Sequence, residues 1–462
     1  MHIFLSIFVV VGYAAVLTFV AVRARAAKDF AQFSLARRTL GLSLVFGSLC
    51  ATYVGPAFSI GFVGKGFNSG FLFLVVALAY SVQNVLVGVF VAPRLRSLPG
   101  CHTLGDAIGQ KYDRNCQVLA GVISVGLCAG FAAVMASAGG VVLMSVFGGL
   151  NKWSAVLIVV AITTLYTTFG GLRASVITDA FQFAAFAILL PAALVLVLLF
   201  HLDGGAAGFV QQARTATAAG FGSTSTVKVI GFVTAFLLGE TLIPPYANRA
   251  LASGTTRISR NSFVLAGLFS VAWFVVMISL GLAARGIISK DTGQDEVLLV
   301  LVRTILPAEG YALLLVVLIS VVMSSLDSLL NAGAVAFTED VVRPFFRLTD
   351  RAKLDIGRCA TVALATVAAA AAVAVPSVIK GLLVCYTIWA PAILPVLIIG
   401  LWTTRPRPLA GILSMATGTC VAVLFEFIIK PPAVPGIIIA LAAAILAYAC
   451  GHWISIYIEG KR

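Results

Sequence analysis

Two apolar stretches of this 462-residue chain are interrupted by glycine and proline, and they decide its architecture. The first reads GLSLVFGSLCATYVGPAFSIGFVG (41–64) and has Gly55-Pro56 near its centre. The second reads IGFVTAFLLGETLIPPYANRA (230–250), with Gly239 and Pro244-Pro245 near its centre. Each stretch is long enough to cross a bilayer, which takes about 20 apolar residues. Because proline removes a backbone hydrogen bond, both stretches are predicted to be broken membrane helices.

The composition agrees with a membrane protein, since 61% of residues are hydrophobic and 10% are charged. Soluble domains carry about 25% charged residues. This composition excludes a soluble enzyme, a secreted disulfide scaffold and a receptor with a large soluble half. The net charge of +14 does not indicate nucleic-acid binding, because the basic residues lie in short loops between apolar runs. The eight cysteines show no metal-ligand spacing and predict no metal site, and no catalytic residues are predicted.

Apolar runs predict an all-α integral membrane protein with about thirteen transmembrane helices. A further stretch at 294–306 contains charged residues and is predicted to be a short external helix. The predicted spans are 3–22, 41–63, 70–93, 115–147, 153–169, 174–200, 227–248, 261–284, 311–338, 357–376, 378–402, 408–429 and 434–457.

The loops predict the orientation of the chain. With the N-terminus outside, 22 of the 31 lysines and arginines fall in inner loops or at the C-terminus, and the other nine fall outside. Basic residues are enriched on the cytoplasmic side of membrane proteins. We therefore expect a multi-pass protein of the plasma (inner) membrane with its C-terminus in the cytoplasm.

The two broken helices lie five spans apart, which predicts two five-helix repeats inserted in opposite directions. Segment 41–200 would be the first repeat and 227–402 the second, within one membrane domain. Residues 1–40, an extra helix and a cytoplasmic loop, and 403–462, two extra helices, lie outside the repeats. Paired interruptions of this kind are typical of transporters, in which freed carbonyls suit cations such as sodium.

A third segment, SVVMSSLDSLLNAGAVAFTEDVV (320–342), places polar side chains on an apolar helix. Ser324, Asp327 and Ser328 share one helix face through their i, i+3 and i+4 spacing, and Ser325 lies beside that face. An aspartate inside a membrane is costly and marks a functional site. Sodium, like other hard cations, prefers oxygen ligands, so this strip is a candidate ion site.

Three segments resemble the sodium/solute symporter family. They are YTTFGGLRASVITDAFQ (166–182), the serine-rich 320–342 segment, and ATYVGPAFSIG (51–61), which is most similar to the choline-transporter branch. The resemblance implies the leucine-transporter type of five-plus-five inverted-repeat fold. It also implies sodium-driven uptake of a small organic solute.

The resemblance also implies ion ligands by position. The main sodium site would use carbonyls of Val45, Ser48 and Val321 and hydroxyls of Ser324 and Ser325. A second sodium ion, present in some members, would use Asp179, Asp327 and Ser328. The alternative for Asp179 is a structural ion pair with a basic group near the inner face.

A cationic substrate is predicted from the second broken helix. Glu240 follows Gly239 directly, and a carboxylate there would face a positive group such as an amine. Tyr53 and Trp389 offer aromatic faces to an alkylammonium, and Thr52 lies next to Tyr53. In the alternatives, Glu240 caps the broken helix, accepts a proton, or is satisfied by Thr241 or by backbone N–H groups.

The sequence therefore predicts a secondary active transporter, not an enzyme, that couples sodium flow to solute uptake by alternating access. Its partners would be a small solute, sodium as the coupling ion and the lipid bilayer, with no organic cofactor and no nucleic acid. No phosphate-binding loop is present to support ATP-driven transport. A proton-coupled or sodium-independent carrier of the same fold is one alternative, and a membrane sensor or a channel is another. The oligomeric state is left open.

Overall fold

The computed structural model describes residues 12–13, 15, 27–147, 149–202, 205–429, 435–459 and 461. The predicted first span, 3–22, lies outside the described residues apart from residues 12, 13 and 15. In chain order the first helices are α1 (Phe30–Leu35), α2 (Leu42–Tyr53), α3 (Phe62–Ser69), α4 (Leu72–Leu86), α5 (Ala92–Ser97), α6 (Leu104–Lys111), α7 (Arg114–Val146), α8 (Lys152–Phe200) and α9 (Gly205–Ser223). The remaining helices are α10 (Thr226–Leu238), α11 (Pro244–Ala252), α12 (Thr256–Ala284), α13 (Val297–Ile305), α14 (Ala308–Ala336), α15 (Asp350–Ala372), α16 (Val378–Trp402), α17 (Pro408–Val423) and α18 (Gly436–Glu459).

The all-helical membrane architecture is confirmed, since the described residues contain no strand beyond one isolated bridge, Leu40 with Ser253. Over that part of the chain, nine helices are long and apolar enough to cross a membrane, or eleven if two bent pairs are each counted as one span. The predicted total of thirteen stays a prediction.

Helix α8 is longer than one membrane crossing requires. Its 49 residues extend about 73 Å at 1.5 Å per residue, against a hydrocarbon layer of about 30 Å. Gly171 interrupts it with φ +60° and ψ −166°, a conformation essentially restricted to glycine. A Cβ at Gly171 would also lie 2.7 Å from the Cα of Phe33. Helix α8 therefore has the length and the break for the two predicted spans 153–169 and 174–200.

Both predicted helix breaks are confirmed. Helix α2 ends at Tyr53, and the helical segment that resumes at Ala57 is inclined to it by 57°. The carbonyl of Val54 at this break accepts a hydrogen bond from the Ser59 hydroxyl at 2.6 Å. This bond satisfies a backbone group that the break leaves without its helical partner.

The second break separates α10 from α11 and contains Leu242 with φ +46°. The indole N–H of Trp389 on α16 donates to the carbonyl of Thr241 at 2.9 Å. Gln83 on α4 donates to the hydroxyl of the same threonine at 2.5 Å. Two neighbouring helices thus provide the hydrogen bonds that stabilise the irregular backbone.

Helix α14 lies at the centre of the molecule. Its most apolar window is 89% buried, whereas the corresponding windows that include α17 and α18 are 22% and 28% buried. A short π-helical segment, Phe337–Val342, extends the C-terminal end of α14. The short helix predicted at 294–306 is observed as α13. The central position of α14 brings the serine-rich strip into contact with the first broken helix.

Candidate functional site

The serine strip of α14, defined as Ser324, Ser325, Asp327 and Ser328, is buried. The hydroxyl of Ser324 donates to the carbonyl of Ala51, in the last turn of α2, at 3.1 Å. A Cβ at Gly55, inside the break, would lie 2.6 Å from the Ser325 hydroxyl oxygen. The strip therefore packs directly against the interrupted end of α2.

The other oxygens assigned to the main sodium site lie on the same two helices. Val45, Ser48 and Val321 are all fully buried. The carbonyl of Ser48 accepts from the Thr52 hydroxyl at 3.0 Å, and that of Val321 accepts from Ser324 at 3.2 Å and from Ser325 at 3.4 Å. The Ser324–Ala51 contact joins the two helices, and the roles of these five residues as ligands stay a prediction.

Arg249 has a position that differs from the expectation. Because the predicted span 227–248 ends just before it, Arg249 was expected in an inner loop, but it lies in α11 and its side chain is fully buried. Its guanidinium donates to Asp179 at 2.9 Å, to the Ser48 hydroxyl at 2.8 Å and to the Pro245 carbonyl at 2.9 Å. It also donates to the Ser328 hydroxyl. Of the two alternatives for Asp179, the structure shows the ion pair, although its partner comes from a helix and not from a loop.

Asp327, the other aspartate assigned to a second ion, is stabilised by hydroxyl groups. It accepts hydrogen bonds from Tyr166 at 3.1 Å, from Ser175 at 3.1 Å and from Ser328 at 3.0 Å. These donors satisfy its lone pairs but leave its charge in place. The predicted trio of Asp179, Asp327 and Ser328 is thus brought together around Arg249.

Glu240 lies at the second break, and tyrosines hold both of its oxygens. Tyr246 donates to one carboxylate oxygen at 2.6 Å, and Tyr386 on α16 donates to the other. The hydroxyl of Tyr80 lies 3.4 Å from that of Tyr246. Tyrosine hydroxyls therefore satisfy this carboxylate, and not Thr241 or backbone N–H groups as in one of the alternatives.

A small cavity of about 20 Å³ lies between the two breaks. Its lining includes the predicted residues Thr52 and Glu240, together with Tyr246 and Ser325. A cavity needs about 10–15 Å³ to hold one water molecule, so this one has no room for an organic solute. The structure thus represents a closed conformation of the site.

The two aromatic candidates do not line this cavity. Tyr53 is buried and packs edge-on against Tyr246, with ring centroids 4.3 Å apart. Its hydroxyl has no hydrogen-bond partner. Trp389 is fully buried and uses its indole N–H on the Thr241 carbonyl. In this conformation the observed role of Trp389 is to stabilise the broken helix.

Sequence reasoning missed five residues of the site: Arg249, Tyr166, Ser175, Tyr246 and Tyr386. A signal for Arg249 was present, because it follows Pro244-Pro245 by four residues, one turn into the helix after the break. Tyr246 lies in the same short segment. No comparable local signal marks Tyr386, which lies 146 residues from Glu240 in the chain.

Comparison with known proteins gives consistent results. The sodium:solute symporter family matches residues 33–418. The osmoregulated proline transporter OpuE of Bacillus subtilis (strain 168) is 26% identical over 449 residues, which cover 90% of this chain and 89% of the relative. The high-affinity proline transporter PutP of the same organism is 22% identical over 427 residues, covering 86% and 87% of the two chains.

Solved structures share the fold. A substrate-bound, outward-open Na⁺-coupled sialic acid symporter, described as having a novel Na⁺ site, superposes with a TM-score of 0.85 over 96% of each chain at 13% identity. MHP1, a nucleobase-cation-symport-1 family transporter, superposes with a TM-score of 0.60 at 12% identity, covering 91% of this chain and 94% of its own. These likenesses concern transporters, not enzymes, and at such identities they establish the fold alone.

Proposed function

This chain belongs to the sodium:solute symporter family, and we propose that it couples the inward flow of sodium to the uptake of a small organic solute by alternating access. The observation that carries the proposal is the contact between Ser324 on α14 and the Ala51 carbonyl at the end of α2. A hydroxyl and a carbonyl meet there at a buried helix break, where the helix that would normally pair the carbonyl is interrupted. Such neutral oxygens suit a sodium ion.

The proposed sodium site uses the oxygens assigned above: the carbonyls of Val45, Ser48 and Val321 and the hydroxyls of Ser324 and Ser325. In the closed conformation the Ser324 and Ser325 hydroxyls donate to carbonyls. When sodium binds, the hydroxyl and the carbonyl oxygens would both direct lone pairs at the ion, and these hydrogen bonds would be lost. The ion would thereby connect α2 of the proposed first repeat (41–200) to α14 of the proposed second (227–402).

We propose that the solute carries an ammonium group, and its site would be the cavity beside Glu240. Two tyrosine hydroxyls satisfy the oxygens of Glu240 but do not neutralise its charge. A buried carboxylate is stabilised far more by a cation than by neutral donors. The proline transporters among the relatives support this choice, because proline carries a secondary ammonium group. The nearer likeness to choline transporters stays a prediction.

The proposed location is the plasma (inner) membrane, with the N-terminus outside and the C-terminus in the cytoplasm. A tenfold sodium gradient and a potential of 100 mV would together let one sodium ion sustain about a 500-fold gradient of a neutral solute. This driving force is adequate for uptake without ATP.

The test is transport by purified protein in proteoliposomes, with solutes chosen by a thermal-shift screen of amines, amino acids, sugars and carboxylates, with and without sodium. Ser324→Ala with Ser325→Ala should weaken sodium activation at least tenfold, about 1.4 kcal/mol, because two proposed ligands are lost. Ser320→Ala is the matched control, since its hydroxyl bonds to Tyr13 and Val316 on the same helix outside the strip.

Two outcomes would contradict sodium coupling. One is an unchanged sodium dependence in the double variant. The other is uptake driven equally well by a proton gradient alone, which would favour a proton-coupled carrier of the same fold. A further outcome would favour a channel. In that case the flux of labelled solute is the same whether or not unlabelled solute is present on the opposite side of the membrane, because a channel does not exchange one for the other.

A further inference from the structure

The guanidinium of Arg249 lies among the residues that the resemblance assigns to a possible second sodium ion. We propose that Arg249 is a built-in cation that takes the place of this ion, so that the chain binds one sodium ion per transport cycle and not two. The inference rests on the proposed sodium coupling and concerns its stoichiometry.

The first argument is that Arg249 uses the oxygens that a second ion would need. Its N–H groups bind Asp179 at 2.9 Å and the Ser328 hydroxyl, which are two of the three predicted ligands. They also bind the Ser48 hydroxyl at 2.8 Å, and that hydroxyl in turn donates to Asp179. A sodium ion among these atoms would lie next to a like charge that the guanidinium cannot lose, because arginine stays protonated in proteins.

One oxygen of Asp179 remains without a hydrogen-bond partner. A single carboxylate oxygen does not make a sodium site, since hard cations collect several oxygen ligands. The nearest hydroxyls of Ser48 and Ser328 are already engaged with Arg249. Removal of the guanidinium would release both hydroxyls. Together with the free oxygen of Asp179 they would then form a site that accepts an ion.

The second argument is a count of charges. The cluster contains two buried carboxylates, Asp179 and Asp327, and one buried guanidinium. Among the described residues, Arg249 is the only lysine or arginine in the buried class. With both carboxylates ionised, one negative charge remains, and it lies on Asp327, one turn from Ser324 on the same helix. A single sodium ion at the serine strip would neutralise the cluster.

The third argument concerns coupling. Arg249 connects four elements, because it reaches from α11 to Ser48 on α2, Asp179 on α8 and Ser328 on α14. A sodium ion at this point would leave to the cytoplasm in each cycle and would contribute its gradient to transport. A covalently attached guanidinium cannot leave. With one ion the attainable gradient of a neutral solute is about 500-fold, whereas two ions would allow about 250,000-fold at the same gradient and potential.

The experiment counts sodium ions directly, with ²²Na⁺ as the probe and no solute present. Equilibrium binding to the purified full chain in lipid nanodiscs should saturate at one ion per chain. Arg249→Gln removes the fixed charge and should raise the number to two, because Asp179 and Ser328 are released. Arg249→Gln with Asp179→Asn should return it to one, and Arg249→Lys, which keeps a positive charge, should stay at one.

Two ions bound to the wild type, or one ion bound to a folded Arg249→Gln variant, would overturn the proposal. The wild-type and Arg249→Lys values decide the question even if the glutamine variant does not fold. No binding to the wild type would overturn the sodium coupling itself, and with it this inference. Loss of binding in the Ser324→Ala, Ser325→Ala double variant shows that the counted ion occupies the serine strip, and retention of one ion there would contradict the assignment.

Discussion

Three buried carboxylates in the core are stabilised in different ways. Asp179 has an ion pair with Arg249, whereas Asp327 accepts three hydroxyl hydrogen bonds and Glu240 accepts two from tyrosines. A hydroxyl donor satisfies a lone pair but leaves the charge, and an uncompensated buried charge is strongly unfavourable. Asp327 and Glu240 are therefore the residues from which we expect dependence on ions or on a charged solute.

Glu240→Gln tests this dependence at the solute site. The substitution keeps the shape of the side chain and removes its charge. We expect the affinity for an ammonium solute to fall at least tenfold while ²²Na⁺ binding stays unchanged, since the serine strip is a separate site. Thermal shift and equilibrium binding against the solute panel measure both.

Tyr386→Phe is the control for Glu240→Gln, because it removes one hydrogen bond to the carboxylate and keeps the charge. Its effect on affinity should be smaller. If the best ligand is a sugar or an anion, or if Glu240→Gln leaves affinity untouched, then Glu240 is structural and the cationic substrate is wrong.

At the scale of elements, the C-terminal end of α14 is fixed by an acidic side chain between two helices. Asp340, in the segment Phe337–Val342, accepts hydrogen bonds from Thr103 at 2.5 Å and from Gln117 at 3.4 Å. A Cβ at Gly105 would lie 2.4 Å from the Asp340 carboxyl carbon, and one at Gly121 would lie 2.4 Å from its Cβ. Helices α6 and α7 thus use glycines to admit this side chain.

Charged residues surround this contact. Glu339 pairs with Arg343 and with Lys353 at 3.0 Å, and Arg343 also lies 3.5 Å from Asp106. Burial raises the pKa of the Asp106 carboxyl above its usual range, while Arg343 acts in the opposite direction. The acidic pair that ends the 320–342 segment therefore docks α14 onto α6, α7 and α15.

Gly121→Ala should disrupt this docking. The added methyl group would overlap Asp340, and overpacking of this kind costs about 1–3 kcal/mol. We expect a melting temperature several degrees below that of the wild type in a thermal unfolding assay. Gly126→Ala is the matched control on the same helix, because its added Cβ meets nothing within 4 Å. Its melting temperature should be equal or higher, since alanine favours helix; equal losses in both variants would contradict the docking role.

The helix breaks and the serine strip were predictable because their causes are local. Proline and glycine interrupt a helix wherever it packs, and i, i+3, i+4 spacing places Ser324, Asp327 and Ser328 on one face of any helix. The partners were not predictable in this way. Asp179 and Arg249 are 70 residues apart in the chain, and only the tertiary fold brings them together. Arg249 resembled a loop residue because the break shortens the helix that carries it.

At the scale of the whole molecule, burial is greatest at α14. The most apolar window of α14 is 89% buried, whereas the window of α8, within the proposed first repeat, and the window that includes α17, within 403–462, are both 22% buried. Burial therefore identifies the central helix, and it does not by itself separate the proposed repeats from 403–462. Each repeat must contain an odd number of spans. The side of the membrane on which a loop lies therefore depends on a correct count of the spans. Orientation is therefore a test of the whole architecture.

Labelling of single cysteines tests that orientation. Lys290, between α12 and α13, and Arg351, at the start of α15, are both exposed. The excess of basic residues in the proposed inner loops and at the C-terminus, 21 against nine without the buried Arg249, predicts Lys290 outside and Arg351 inside. The exposed cysteines Cys359, Cys420 and Cys450 are first replaced by serine, while the other five are buried. In intact cells a membrane-impermeant maleimide should then label Lys290→Cys and should reach Arg351→Cys only after permeabilisation.

The serine-substituted background, which should stay unlabelled, is the control. Helix α14 is the one proposed span between α13 and α15, so labelling of both positions from the same side would mean that it does not cross the membrane and that the inverted arrangement of 41–200 and 227–402 is wrong.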